Sequence, residues 1–224
     1  TEFFPLNSDR EADLGPYVAP QNENLYRAAL IDLLRRGEQV RDLLANLPSV
    51  VHVKDVFRAN RTGYIVEEYV EPPAGAAYAD LASRVGQMGP LLAEELLPLM
   101  KPVIRDLAEA HRAGVLHREL KASHFLLDER GALRLTFYFQ ADTLCAPQYG
   151  PDPDFVPDFI PPEVRYGGGW SPCGEVYSLC VTVYECLTGL TRWEAWNKWA
   201  ETCGGSPTPG KLGLVPHWQD QIIM

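Results

Sequence analysis

The reactive side chains of this sequence crowd into the run His117-Arg118-Glu119-Leu120-Lys121-Ala122-Ser123-His124, which sets a carboxylate, an ammonium and two imidazoles close together. One chemistry for such residues is metal binding, with His117 and His124 joined by Cys145 or Cys173. Structural zinc sites are built from close ligand pairs, and no such pair is present, so zinc is the weaker reading. The five cysteines, Cys145, Cys173, Cys180, Cys186 and Cys203, are odd in number and follow no paired spacing. That argues against a disulfide framework and fits a reducing cytoplasm. Cys180 and Cys186 fall in an apolar helical stretch and are expected to be small buried thiols.

The elements that must position this run follow from periodicity. Residues 1–24 are rich in Pro, Asn and Asp and read as loop. A helix is expected over 24–47, where Leu30, Leu33, Leu34, Val40, Leu43, Leu44 and Leu47 recur mostly three or four apart. Two β-rich runs, 50–57 and 63–70, are joined by a loop from Arg58 to Thr62, and Pro72-Pro73-Ala74-Gly75 then breaks the chain. Leu96, Met100, Val103 and Leu107 form one stripe of a helix over 93–113, stopped by Gly114. Short β runs at Phe125–Leu127 and Leu133–Phe139 flank a turn over 128–131. A Pro/Asp-rich loop covers 146–162, a second apolar helix covers 176–187 before Gly189, and the tail from Thr191 to Met224 has weak periodicity.

The chain of 224 residues has 46% hydrophobic and 22% charged residues, ordinary for a globular protein. Its net charge of -10 argues against nucleic acid or an anionic membrane as partner. No apolar stretch is long enough to span a bilayer, and Thr1-Glu2-Phe3-Phe4-Pro5 reads as cut from a longer protein rather than as a signal peptide. The expected location is cytoplasmic.

The segment Val115 to Asp128 resembles the catalytic loop of the eukaryotic-like protein kinases, whose pattern is His-Arg-Asp-Leu-Lys, two residues, Asn and an apolar strand. Thr62-Gly63-Tyr64-Ile65-Val66-Glu67-Glu68-Tyr69-Val70 resembles the strand entering the hinge. Pro161-Pro162-Glu163 resembles the Ala-Pro-Glu that closes the activation segment, and Gly174 to Leu179 the start of the central helix of the large lobe. Thr1 to Pro5 is similar to the Lys-Glu-Tyr-Phe-Pro of a bacterial branch. The resemblance implies an α+β, protein-kinase-like fold. Residues 1–71 would form a partial N-terminal lobe and 72–224 a helical C-terminal lobe without its last helices.

Taken residue by residue, the same resemblance implies that phosphoryl transfer has lost its machinery, since that reaction rests on strict placement of charge. Glu119 replaces the catalytic Asp, while Lys121 is kept and would neutralise the transferred group. His124 replaces the metal-binding Asn, and neutral imidazole is a poor ligand for Mg²⁺. Phe137-Tyr138-Phe139 stands in place of Asp-Phe-Gly, with Asp142 the nearest acid in sequence. Thr1 takes the place of the phosphate-binding Lys, and the glycine-rich loop does not occur in this sequence. The helix glutamate that would pair with that Lys falls at Arg36, Gly37 or Glu38. Glu67, or Glu68 with a shift of one, guards the back of the adenine slot. Scaffold residues remain: His117 and Tyr138 would stack, Glu175 would hold the loop backbone, and Glu163 would pair with an Arg of a later helix.

The implied function is that of an inactive pseudokinase, a regulatory module that binds a protein partner, with ATP and Mg²⁺ binding lost or weak. The alternative is an unconventional ATP-dependent kinase or transferase using Glu119 and Lys121. Trp193, Trp196 and Trp199 share one helical face, read as packing before partner binding. The loop from Asp152 to Asp158 reads as solvated, with docking as its second use.

Overall fold

The computed structural model describes residues 1–3, 10–11, 15–137, 159–165, 167–191 and 194. Among the described residues the backbone forms two compact units, one of Thr1–Tyr69 with Phe137 and one of Val70–Thr136 with the residues from Phe159 onward.

In the first unit, strands β1 (Arg10–Glu11) and β2 (Gly15–Pro16) make a short antiparallel pair, and helix α1 spans Glu23–Leu43. Strands β3 (Val53–Ala59) and β4 (Thr62–Glu67) form the main hairpin. The turn is tighter than the expected loop over 58–62. Ladder pairing reaches Ala59 with Thr62, and Asn60 and Arg61 turn the chain with φ of 50° and 61°. Positive φ at both central positions suits the right-handed twist of a hairpin, and Asn tolerates it well. Contrary to the expectation of loop over 1–24, Thr1–Phe3 runs antiparallel along β4. Ile65 donates to the Thr1 carbonyl at 2.8 Å, and Phe3 donates to the Gly63 carbonyl at 2.9 Å.

Helix α1 packs its buried face, including Leu30, Leu33, Leu34 and Val40, on this hairpin. It ends earlier than 47 because Pro48 disfavours helical backbone at Leu47, and the chain leaves through turns at Leu44 and Leu47. Leu43, counted in the expected stripe, is exposed. Two glycines let helix and sheet approach closely. A Cβ on Gly37 would lie 2.8 Å from Ile65 Cδ1, and one on Gly63 would lie 2.7 Å from Leu30 Cδ1.

The second unit contains α2 (Leu81–Met88), α3 (Ala93–Arg112), β5 (Phe125–Leu127), β6 (Leu133–Leu135), α4 (Pro162–Arg165) and α5 (Pro172–Thr188). In α3 the stripe Leu96, Met100, Val103 and Leu107 is buried as expected, and Gly114 follows with φ of 76°. Pro98 and Pro102 sit on the exposed side of that helix, where water can serve the carbonyls they leave unpaired. Strand β6 stops at Leu135, short of the run to Phe139. Helix α5 begins four residues before Val176. Ser171 caps it by accepting the Gly174 N–H at 3.1 Å, and Pro172 fits the first turn. The α5 face bearing Gly174, Glu175, Ser178 and Thr182 is buried, which turns Cys180 outward; Cys186 alone of the two expected buried thiols is buried.

Close approach at Gly63 yields a test. Gly63→Val would force a Cβ to 2.7 Å from Leu30 and 2.9 Å from Leu34, and overpacking of this kind costs about 1–3 kcal/mol. The urea midpoint should fall with an unchanged slope, whereas an unchanged midpoint would contradict the packing described.

Candidate functional site

The loop from His117 to His124 lies in the second unit between α3 and β5, and one buried carboxylate organises its start. Glu175, on α5, has no solvent exposure. It accepts a hydrogen bond from the Arg118 N–H and another from His111 Nε2 at 2.6 Å. Arg118 adopts φ of 70°, a strained backbone for a non-glycine residue that this anchor helps to hold. Burial raises the Glu175 pKa above the usual carboxylate range, against the opposing pull of the Arg118 and His111 hydrogen bonds. His111 was not singled out from the sequence. Its only signal there was a histidine in the last turn of α3, and its partner lies 64 positions away.

His117 is fully buried, with both ring nitrogens engaged. Nε2 donates to the Thr136 carbonyl at 2.8 Å, and Nδ1 accepts the Glu119 N–H at 3.2 Å. That pairing assigns the neutral Nε2–H tautomer. His124 Nδ1 donates to the Glu119 carbonyl at 2.7 Å, and the His124 carbonyl accepts the Thr136 N–H at 3.0 Å. The two rings lie 5.4 Å apart at 40°, as neighbours packed in a core. Burial, aided by the Lys121 charge, pushes the His124 pKa down to about 4, so its ring is neutral near pH 7.

Glu119 and Lys121 meet directly, with Lys121 Nζ donating to Glu119 Oε1 at 2.6 Å. Burial raises the Glu119 pKa while the Lys121 ammonium draws it back. The Leu120 carbonyl between them accepts Thr182 Oγ1 of α5 at 3.2 Å, a second anchor for the loop. Phe137, the residue after Thr136, is buried at 4% exposure. Tyr138, Phe139, Asp142, Cys145, the 152–158 loop and Trp193, Trp196 and Trp199 lie outside the described residues. Cys173 is exposed on α5 and Glu163 is exposed on α4.

In the first unit, pairing of Thr1 with β4 orders the remaining candidates. Thr1 and Ile65 exchange backbone hydrogen bonds, so their side chains share a face with Glu67. Thr1 Oγ1 donates to Glu67 Oε2 at 3.3 Å. Glu68 points to the other face, where its carboxylate accepts the His52 N–H at 3.0 Å and lies 3.9 Å from Lys54 Nζ. Among the three α1 candidates, Arg36 is buried but cationic, Gly37 lies against the sheet without a side chain, and Glu38 is exposed. None of the three presents a carboxylate to the sheet.

Comparison with known proteins gives these features a context. The pattern described as the protein kinase domain matches residues 35–203. Serine/threonine-protein kinase F of Synechocystis sp. is 27% identical over 172 residues, covering 73% of this chain and 34% of that protein. PrkC of Bacillus subtilis is 27% identical over 144 residues, 63% of this chain and 21% of that protein. PknL of Mycobacterium tuberculosis is 30% identical over 148 residues, 65% of this chain and 36% of that protein. The chain thus spans roughly a fifth to just over a third of these relatives' lengths. Among solved structures, the apo form of PpkA-294 is similar over 99% of this chain and 77% of that one, with a TM-score of 0.72 at 17% identity. The α+β, protein-kinase-like fold implied by the motifs is the fold found.

The depressed pKa of His124 predicts a pH dependence. The unfolded chain takes up this proton near pH 6.5 and the folded chain only near pH 4, so folding stability falls as pH drops between them. Glu119 and Glu175, with raised folded pKa values, protonate first in the folded state and work in the opposite direction. Comparison with His124→Asn isolates the histidine. The wild type should lose about 1–3 kcal/mol more than the variant across that window in urea melts. Parallel curves would contradict a neutral, buried His124.

Proposed function

Because the chain belongs to the protein kinase domain family, with bacterial serine/threonine kinases among its relatives, we propose that this domain is a pseudokinase that binds a protein partner and does not transfer phosphate. The observation that carries this reading is Phe137. A buried aromatic side chain occupies the position at which the family keeps its metal-chelating Asp, and a phenyl ring offers Mg²⁺ no ligand.

Three further features support it. At the family's second metal position stands His124, a neutral imidazole whose Nδ1–H is committed to the Glu119 carbonyl. Glu119 moves the catalytic carboxylate out by one methylene and ties it to Lys121, and displacement near 1 Å costs on the order of a hundredfold in rate. Thr1 at the phosphate-binding Lys position pairs with Glu67, so a cation is replaced by a neutral hydroxyl beside an acid. The residues present do not fit a magnesium nucleotide. Among the described residues, no group of His, Cys, Asp and Glu is arranged to hold a metal ion in its place.

A protein is the partner class that suits the retained scaffold together with a net charge of -10, which disfavours polyanions. No helix among the described residues is long and apolar enough to cross a membrane. The second reading, an unconventional ATP-dependent transferase, draws on one observation, the contact between the retained Lys121 and Glu119.

Phosphorylation assays with ATP and Mg²⁺ separate the two. The wild type should show no transfer. Phe137→Asp combined with Phe139→Gly should also show none, because Thr1, Glu119 and His124 remain. Metal-dependent phosphorylation by either protein would overturn the pseudokinase reading.

A further inference from the structure

Lys121 has surroundings that nucleotide binding does not explain. Its ammonium is 2.6 Å from Glu119 Oε1, with the two side chains 32% and 16% exposed. On another side it stands 5.7 Å from the centroid of the Phe159 ring, within the range of a cation–π contact. Phe159 opens the segment leading into α4, and its carbonyl accepts Ser178 Oγ of α5 at 2.7 Å. The following residues are seated on α5 as well. A Cβ at Gly174 would lie 3.1 Å from Glu163 Oε1 and 3.2 Å from Pro161 Cγ, so the segment and α5 approach closely here. The segment's backbone is thus carried by α5, while the Phe159 ring faces the loop.

We propose that Lys121 is a structural clasp: held by Glu119, it fastens the His117–His124 loop to the Phe159–Arg165 segment through the Phe159 ring. The Lys121 ammonium is partly shielded from solvent. It has lost part of its water, and the carboxylate and the ring face replace that water. Glu119 suits this task because its added methylene lets the carboxylate fold back onto the lysine two positions on. Removing the cation would leave the half-buried Glu119 carboxylate without its counter-charge and the ring without its cation, so both ends of the clasp would loosen together. The role is independent of nucleotide and stands whether or not the domain transfers phosphate.

Hydrogen exchange tests it. The amides of Ile160, Glu163 and Val164 report the segment, and those of Val181 to Leu187 in α5 serve as the internal reference. Lys121→Met and Phe159→Leu should each speed exchange in the segment roughly two- to fivefold, the size expected of a partly shielded cation–π contact, and leave α5 unchanged. Their double variant should be no faster than the faster single one. Lys121→Arg keeps the charge, Phe159→Tyr keeps the ring, and both should exchange as the wild type does. Unchanged exchange in Lys121→Met, equal acceleration in α5, or effects that multiply in the double variant would each overturn the clasp. Acceleration by the two conservative variants as large as that of Lys121→Met would overturn it too.

Discussion

A carboxylate with no exposure to water is costly to bury unless its oxygens are bonded, and the second unit is organised around one such group. Glu175 reaches from α5 to the backbone of Arg118 and to the His111 ring, so α3, α5 and the start of the loop are tied at a single point. From there the order spreads outward. Arg118 is held in a left-handed conformation, His117 closes onto Thr136, and His124 closes onto Glu119. The loop is firmly built. Beyond the Glu175 and Thr182 anchors, its contacts include the Thr136 backbone, the Phe159 ring and the Glu119–Lys121 and Glu119–His124 pairs within the loop.

The first unit follows the same logic with different charges. Thr1–Phe3 is held on β4 by backbone hydrogen bonds, which do not depend on side-chain identity, so the strand can keep its place while the Thr1 side chain carries no cation. Helix α1 packs closely through Gly37 and leaves Glu38 in solvent. On the pseudokinase reading proposed above, the family's packing pattern is kept and the charge pattern laid over it is not. This separation is physically reasonable, because apolar packing and backbone pairing stabilise a fold, whereas buried charge is retained mainly where a ligand or a partner group answers it.

Much of this was legible in the sequence where the signal is local. The stripe in α3 and its terminal Gly114 declare themselves through spacing, and the hairpin through its two β-rich runs. Helix α2 escaped because it buries only Leu81, although Asp80 caps it by accepting the Ser83 N–H at 2.8 Å. Pairing of Thr1–Phe3 with β4 and the link from His111 to Glu175 join residues far apart in the chain, and no local pattern announces such contacts. The choice between Glu67 and Glu68 was open in sequence, since both are acids in a strand. Alternation along β4 places Glu67 on the Thr1 face and hands Glu68 to His52. Cys180 departs from the expectation of a buried thiol because an apolar helix need not bury every face: the side bearing Glu175 and Thr182 is covered, and Cys180 is exposed.

The measurement closest to the central claim is a calorimetric and thermal-shift titration with ATP and ADP, each with and without Mg²⁺ or Mn²⁺. A domain whose metal and phosphate ligands have been replaced should give a flat response up to millimolar nucleotide. Metal-dependent stabilisation approaching about 2.7 kcal/mol at a hundredfold excess over Kd would contradict the account, because it would require a working metal–phosphate site in this chain.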